Sequence, residues 1–154
     1  PIVVDLGARI DNYASDLTRT FCLGTPDATY IKIYEIVLQA QQNAITNVKP
    51  GMTGTQVDAL SRSIIEEAGY GNDFGHGLGH GIGGAVHEEP RLGPGSLTPI
   101  QIEMAFTIEP GIYLPGWGGV RIEDDIYLSA DGPQILSKSS RDLCVGLDKS
   151  IIRL

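Results

Sequence analysis

Positive charge is scarce in this sequence: 11 Lys and Arg stand against 19 Asp and Glu in 154 residues, a formal net charge of −8. No local run of basic residues compensates, which argues against nucleic acid and anionic membrane surfaces as partners, since both need a basic face. Cysteine is nearly absent. Cys22 and Cys144 are far apart and in no CxxC spacing, which indicates neither a disulfide framework nor a thiolate zinc site and points to a reducing cytoplasm. No apolar run approaches the ~20 residues that cross a bilayer, and no charged-then-apolar targeting pattern opens the chain. Low-complexity tracts and fixed-period repeats are missing as well. The expectation is a soluble single domain over residues 1–154, with 42% hydrophobic residues to build its core.

The pattern along the chain is strands, two helices, then strands, an α+β order. PIVVDLGARI and NYASDLTRTFCLG are β-rich runs separated by Asp11 and Asn12, whose side chains favour turns, so they predict an antiparallel hairpin. Thr25 then supplies an N-cap with Pro26 at the first helical position. Tyr30, Ile33, Val37, Ala40, Ala44 and Val48 follow at helical spacing until Pro50-Gly51. Thr55 is the expected cap of a second helix, with Val57, Leu60, Ile64 and Ala68 on its apolar face and Gly69 at its end. MAFTIEPGIYL and GVRIEDDIYLS predict a second hairpin around Pro115-Gly116, and a last extended run falls near Pro133 to Leu136.

Residues on antiparallel strands face each other when their numbers share a constant sum. A four-residue loop from Arg9 to Asn12 places Asp5 directly opposite Asp16, with Cβ atoms roughly 4.5–5.5 Å apart. An odd loop centred on Gly116 places Glu109 opposite Glu123. A one-residue slip in either hairpin turns one member of the pair to the other face. Two facing acidic pairs are costly unless protons or cations neutralise them, and divalent metals are the usual solution. All three histidines, His76, His80 and His87, fall in the glycine-rich segment FGHGLGHGIGGAVHEEP. From Gly75 to Gly83 every odd position is glycine, so an extended backbone carries His76 and His80 on one ribbon that other backbone can approach closely. Four carboxylates and one imidazole suffice for two metal ions sharing bridging oxygens. The competing reading is a flexible glycine loop with structural histidines.

VVDLG, SDLTRTF, HGLGHGIGGAVHEEP, FTIEPGIY and GVRIEDD stand in an order and at distances that resemble the pita-bread (creatinase/aminopeptidase-like) metallopeptidases. SDLTRTF and RIED point within that family to the Xaa-Pro branch of prolidase and aminopeptidase P. The resemblance runs from Asp5 to about Leu143 and implies a curved antiparallel sheet with helices on its outer face. It implies five metal ligands: Asp16 and Glu123 bridging, Asp5 on one ion, His80 and Glu109 on the other. His76 and His87 match positions that contact substrate or steady the tetrahedral intermediate. Arg121 shares strand parity with Glu123 and is expected to orient it or a substrate group. Tyr13 and Arg19 stand either as outer partners of the ligands or, nearly as well, as a strand aromatic and a surface ion pair, and both are left outside the site.

The implied chemistry is hydrolysis of the peptide bond preceding proline, by a hydroxide shared between two divalent ions, with Glu109 relaying the proton to the prolyl nitrogen. Four oxygen ligands to one nitrogen suit manganese, with cobalt, iron or zinc also able to bind. The partners implied are a proline-containing peptide and, in the full-length protein, a second copy in a homodimer. The alternative is a pita-bread module that binds a peptide or protein without cutting it. A structural calcium domain is disfavoured by the histidine and by the lack of a calcium-loop spacing. Asp5 arrives with no preceding helices, so the chain is expected to be a C-terminal catalytic fragment lacking its N-terminal part and inactive alone. Ile2, Val4, Leu17 and Phe21, opposite in parity to the ligands, are then expected to lack cover.

Overall fold

The structure, a computed structural model, describes residues 1–147 and 150–153. Its first hairpin joins β1 (Ile2–Ile10) to β2 (Tyr13–Leu23). The turn is two residues long, not four: Asp11 and Asn12 both take left-handed backbone, with φ of 49° and 69°. That matches the right-handed twist of the flanking strands, and Asp and Asn tolerate it better than other non-glycine residues. Ile10 therefore pairs Tyr13, Asp5 pairs Thr18, and Asp16 pairs Gly7. This corrects the expected direct opposition of Asp5 and Asp16. Because the slip is of two residues, both carboxylates keep the same face and meet on the diagonal.

Helix α1 (Ala28–Asn47) begins two residues later than Thr25-Pro26 suggested, because Asp27 is the cap that accepts the Tyr30 amide. The six apolar positions predicted for its inner face are all buried, each worth up to about 1.5–3 kcal/mol for a large side chain. Helix α2 (Gly54–Glu67) is capped by Thr53, not Thr55, through a reciprocal box with Gln56. Gly69, with φ of 90°, ends it as expected. Its inner stripe differs from the predicted one. Val57 is buried, but beside it lie Asp58, Ser61 and Ile65, while Leu60, Ile64 and Ala68 are only half-buried. Ser61 is accommodated by donating to the Ala40 carbonyl, which locks α2 against α1.

Beyond a single 3₁₀ turn at Gly71–Asp73 come β3 (Gly79–Gly81), β4 (Glu88–Leu92), β5 (Ala105–Ile108), β6 (Gly111–Leu114), β7 (Gly118–Arg121), β8 (Asp124–Ser129) and β9 (Gly132–Ile135). The strand order is β4-β3-β5-β8-β9 in one ladder and β6-β7 in another. The predicted second hairpin is thus broken in both arms, at Glu109-Pro110 and at Ile122-Glu123. Its register nevertheless holds across the break: Ile108 pairs Asp124, Gly111 pairs Arg121 and Leu114 pairs Gly118, all at the sum expected for a loop centred on Gly116. Proline at 110 has no amide to give, which accounts for the interruption on that side. β10 (Cys144–Leu147) adds to β2 in parallel and pairs β11 (Ser150–Arg153). The Glu123 amide donates to the Thr18 carbonyl at 3.1 Å and the Ala14 amide to Gly83 at 2.8 Å, tying the first hairpin to the rest. Helix α1 packs on β5, β6 and β7, and α2 on α1 and β4.

Candidate metal centre

The breaks in the ladders are where the acidic side chains gather. Asp5 and Asp16 come from the first hairpin, Glu109 and Glu123 from the two interruptions of the second, and His80 from the middle of β3. β3 can sit there because Gly79 and Gly81 flank the histidine: a Cβ on Gly79 would collide with the Thr107 carbonyl and one on Gly81 with that of Glu89. Glu109 is held by its amide, which donates to the Leu78 carbonyl at 2.8 Å. Asp16, His80 and Glu123 each place a ligand atom within 4.8 Å of the other two. Nε2 of His80 lies 3.2 Å from Oε1 of Glu109 and 3.9 Å from Asp16.

Hydrogen bonding fixes the tautomers. Nδ1 of His80 faces the Gly81 carbonyl at 3.1 Å, which only accepts, so Nδ1 carries a proton and Nε2 is turned to the carboxylates. Protonated, Nε2 donates to Glu109; deprotonated, it offers a lone pair to a cation. Burial opposes the charged imidazole, but the bonds to Glu109 and Gly81 and the charges of Glu109 and Asp16 outweigh it and raise the pKa to about 9. Burial and then the Glu109 charge push Glu123 up to about 8, against the pull of the Thr18 hydroxyl. Asp16 is raised by burial and by Asp5 and Glu109. A set of carboxylates that resists holding its full charge, with one imidazole lone pair aimed into it, fits divalent cations.

Asp5 stands apart from the tight group. Its carboxylate is held by Arg121 Nη2 at 2.7 Å. The expectation was that Arg121 orients Glu123 or a substrate group; its link to Glu123 is indirect. Its Nε donates to the Thr18 hydroxyl at 3.2 Å, and Thr18 donates in turn to Glu123 Oε2 at 2.5 Å. Arg121 reaches Glu123 through that relay, while its Nη1 donates to the Tyr113 hydroxyl at 2.9 Å and its Nε lies 3.8 Å from Glu109 Oε2.

The two outer histidines differ. Nδ1 of His76 faces the Gly77 carbonyl at 2.8 Å, so in the neutral ring Nε2 accepts from the Tyr113 hydroxyl at 2.9 Å. Both nitrogens are occupied, and the expected extended ribbon carrying His76 and His80 gives way to bends at His76 and Leu78 before β3 begins. His87 is exposed and tilted against His80 with ring centroids 4.0 Å apart. An open cavity of about 690 Å³ is lined by His76, His80, His87, Arg91, Glu109 and Arg121. A second, of about 490 Å³, runs along Asp5, Asp16, His80, His87, Glu109 and Glu123, so His80, His87 and Glu109 line both.

Four participants were missed from the sequence. Thr18 and Tyr113 are relays, Thr107 donates to Glu109 at 3.0 Å and accepts the His80 amide at 3.1 Å, and Asp125 accepts the Asp16 amide at 3.0 Å. Parity was the available signal for Thr18, two residues from Asp16, and for Thr107, two from Glu109. Arg19 is also corrected: it is buried, not on the surface, and bonds Asp124 at 2.7 Å and the Glu123 carbonyl at 2.5 Å. Tyr13 is exposed at the hairpin tip.

The metallopeptidase family M24 model matches residues 1–130. The chain is 48% identical over 142 residues to a Xaa-Pro dipeptidase of Pyrococcus furiosus, covering 92% of this chain and 41% of that protein. It superposes on a Xaa-Pro dipeptidase from Bacillus anthracis with a TM-score of 0.91 at 48% identity, covering 93% of this chain and 40% of that one. An X-Pro aminopeptidase from Thermotoga maritima gives 0.89 at 43% identity, covering 94% and 41%. The chain thus spans about two fifths of the length of the relatives it matches, and it has their pita-bread fold. It belongs to metallopeptidase family M24.

Proposed function

We propose that residues 1–154 form part of the catalytic domain of a metal-dependent peptidase that hydrolyses the bond preceding proline. The observation that carries this reading is the convergence of Asp16, His80 and Glu123 within 4.8 Å, with Glu109 against His80. In this reading Asp5, Asp16, His80, Glu109 and Glu123 would together hold two divalent ions. Manganese suits four oxygen donors and one nitrogen without thiolate. Bound ions would supply Lewis acidity, polarising the scissile carbonyl and making a water acidic enough to attack near neutral pH.

The chain's own groups do the rest. Glu109, positioned by Thr107 and by its amide bond to Leu78, carries a proton from the attacking water toward the leaving prolyl nitrogen. His87, exposed on the rim of both cavities, donates to the oxyanion. His76 works through Tyr113, which it holds against Arg121. Arg121 keeps Asp5 in place. Peptide of either length class is accommodated in this reading, since relatives named dipeptidase and aminopeptidase are both similar to the chain. A buried free Cys22 is consistent with a reducing cytoplasm, and no helix among the described residues is long and apolar enough to cross a membrane.

The test is metal content. Elemental analysis after manganese loading is expected to give two ions per chain, falling to none in Asp16→Ala and Glu123→Ala. Unchanged stoichiometry and affinity in both variants overturn the assignment.

A further inference from the structure

Helix α2 turns an aspartate inward, a residue that its apolar periodicity leaves off the buried face. Asp58 is 2% exposed. Its partner one turn on, Arg62, closes a two-pronged ion pair: Nε to Oδ2 at 2.6 Å and Nη2 to Oδ1 at 3.0 Å. An ordinary i, i+4 pair on a helix surface ends there. Here the remaining bonding capacity is spent on one foreign segment. Arg62 Nη1 donates to the Phe74 carbonyl at 3.0 Å and Nη2 to the His76 carbonyl at 2.7 Å, while Asp58 Oδ1 accepts the Leu78 amide at 2.9 Å. The guanidinium also lies over the Phe74 ring, 4.2 Å from its centroid. Phe74 in turn meets the His76 ring edge-on.

The segment so gripped, residues 74–78, has no strand partner among the described residues and alternates with glycine. Glycine costs such a segment its intrinsic stiffness, so its path is set from outside. Two outputs leave it. The His76 ring bonds Tyr113, which bonds Arg121, which bonds Asp5. The Leu78 carbonyl accepts the Glu109 amide. Leu78 is therefore fixed on both sides, by Asp58 at its amide and by Glu109 at its carbonyl.

We propose that Asp58 and Arg62 are positioning residues: a buried clamp on α2 that sets where the histidine segment lies and, through it, where His76 and Glu109 sit. In calling those two groups functional the proposal rests on the metallopeptidase reading; the clamp itself does not. A lysine at 62 keeps the charge but not the planar fork that serves one carboxylate and two carbonyls together.

Histidine ring ¹H–¹⁵N spectra of the metal-free chain give the readout, since only three imidazoles contribute. Arg62→Lys and Arg62→Met are expected to shift or broaden the His76 ring signals as the Tyr113 bond loosens. Both are also expected to weaken manganese binding roughly ten-fold, the scale on which outer partners act at metal sites. Ser61→Ala, on the same helix, removes a buried hydrogen bond to Ala40 and is expected to lower the melting temperature without moving the rings. If Arg62→Met does not fold, Arg62→Lys decides. Ring signals and manganese affinity unchanged in a folded Arg62 variant overturn the proposal and leave the pair a purely structural one. Wild-type chain that binds no manganese overturns the metal reading instead, with the ring shifts still testing the clamp.

Discussion

Nε2 of His80 lies 3.2 Å from Oε1 of Glu109, the histidine delivered by a three-residue strand and the glutamate by the break after β5. His80 is one of several groups around the site that hold protons in the fold more tightly than in the unfolded chain. His80, raised from 6.5 to about 9, contributes stability that is complete below pH 6.5 and lost as pH rises through 9. Glu123, raised from 4.5 to about 8, and Asp125, raised from 3.8 to about 6, mainly by burial, act in the same direction: the native state keeps protons the unfolded state gives up. Metal-free chain is therefore expected to melt lower at pH 8.5 than at pH 5.5. The fall should exceed about 3 °C, the shift that roughly 1 kcal/mol produces at this size. Glu123→Gln should flatten the curve, and a melting temperature that rises over this window contradicts the assignment.

Divalent cations should reverse that trend, because they replace the protons. Manganese is expected to raise the melting temperature more at pH 8 than at pH 6, with proton release on binding measurable in buffers of different ionisation enthalpy. Asp16→Asn and Glu123→Gln should remove both effects. Equal stabilisation at the two pH values would mean binding elsewhere.

Behind Glu123 sits a second charged hub. Asp124 is fully buried and accepts from Arg19 at 2.7 Å, Arg141 at 2.7 Å and Gln41 at 2.9 Å. Removing the shared acceptor leaves two guanidinium groups short of a partner. Asp124→Ala is expected to cost about 3–5 kcal/mol, the range for breaking a buried pair. Urea unfolding measures it, and a loss below about 1 kcal/mol, the level of a surface pair, shows the network to be solvent-like.

How much of this was legible follows from what each feature depends on. The pairing of the second hairpin was readable because a turn at Pro115-Gly116 fixes one sum, which the paired residues on both sides of the break inherit, while Glu109 and Glu123 stand in the break itself. The first hairpin was misread by two residues, since nothing local separates a two-residue Asp-Asn turn from a longer loop, yet the face survived because strands repeat every two residues. The motifs named the carboxylates and His80. They could not name what holds them: Thr18 between Arg121 and Glu123, or Asp58 under the histidine segment, are contacts between elements far apart in sequence, with no periodic signature. The inward Asp58 even opposes the pattern from which α2 was drawn.

Substrate choice is open to a direct assay. Chain that cleaves Xaa-Pro peptides is expected to leave the Xaa-Ala analogues far less affected. His87→Ala should then lower kcat by roughly 10²–10³, as loss of one oxyanion donor does, at unchanged metal content. Equal rates on the two peptide series would move the chain to another branch of its family, and undiminished turnover in His87→Ala would remove that residue from the oxyanion.

The first hairpin also turns an apolar side to solvent. Ile2 is 43% exposed and Ile10 73%, on the face of β1 opposite in parity to Asp5, while Val4, Leu17 and Phe21 are half-buried there. Arg19, on the same side of β2, is covered by its bonds to Ser139 and Ser140, so the uncovered stripe lies toward β1. Burying such a stripe gains roughly 25 cal/mol per Å², and patches of this kind drive association. Light scattering is expected to show a mass that climbs above 16.5 kDa with concentration. Ile2→Lys combined with Ile10→Lys should hold the chain at the monomer mass. Neither isoleucine lines the acidic cavity, so manganese binding should persist in that variant; a wild-type mass constant with concentration would show that the half-covered face is stable alone.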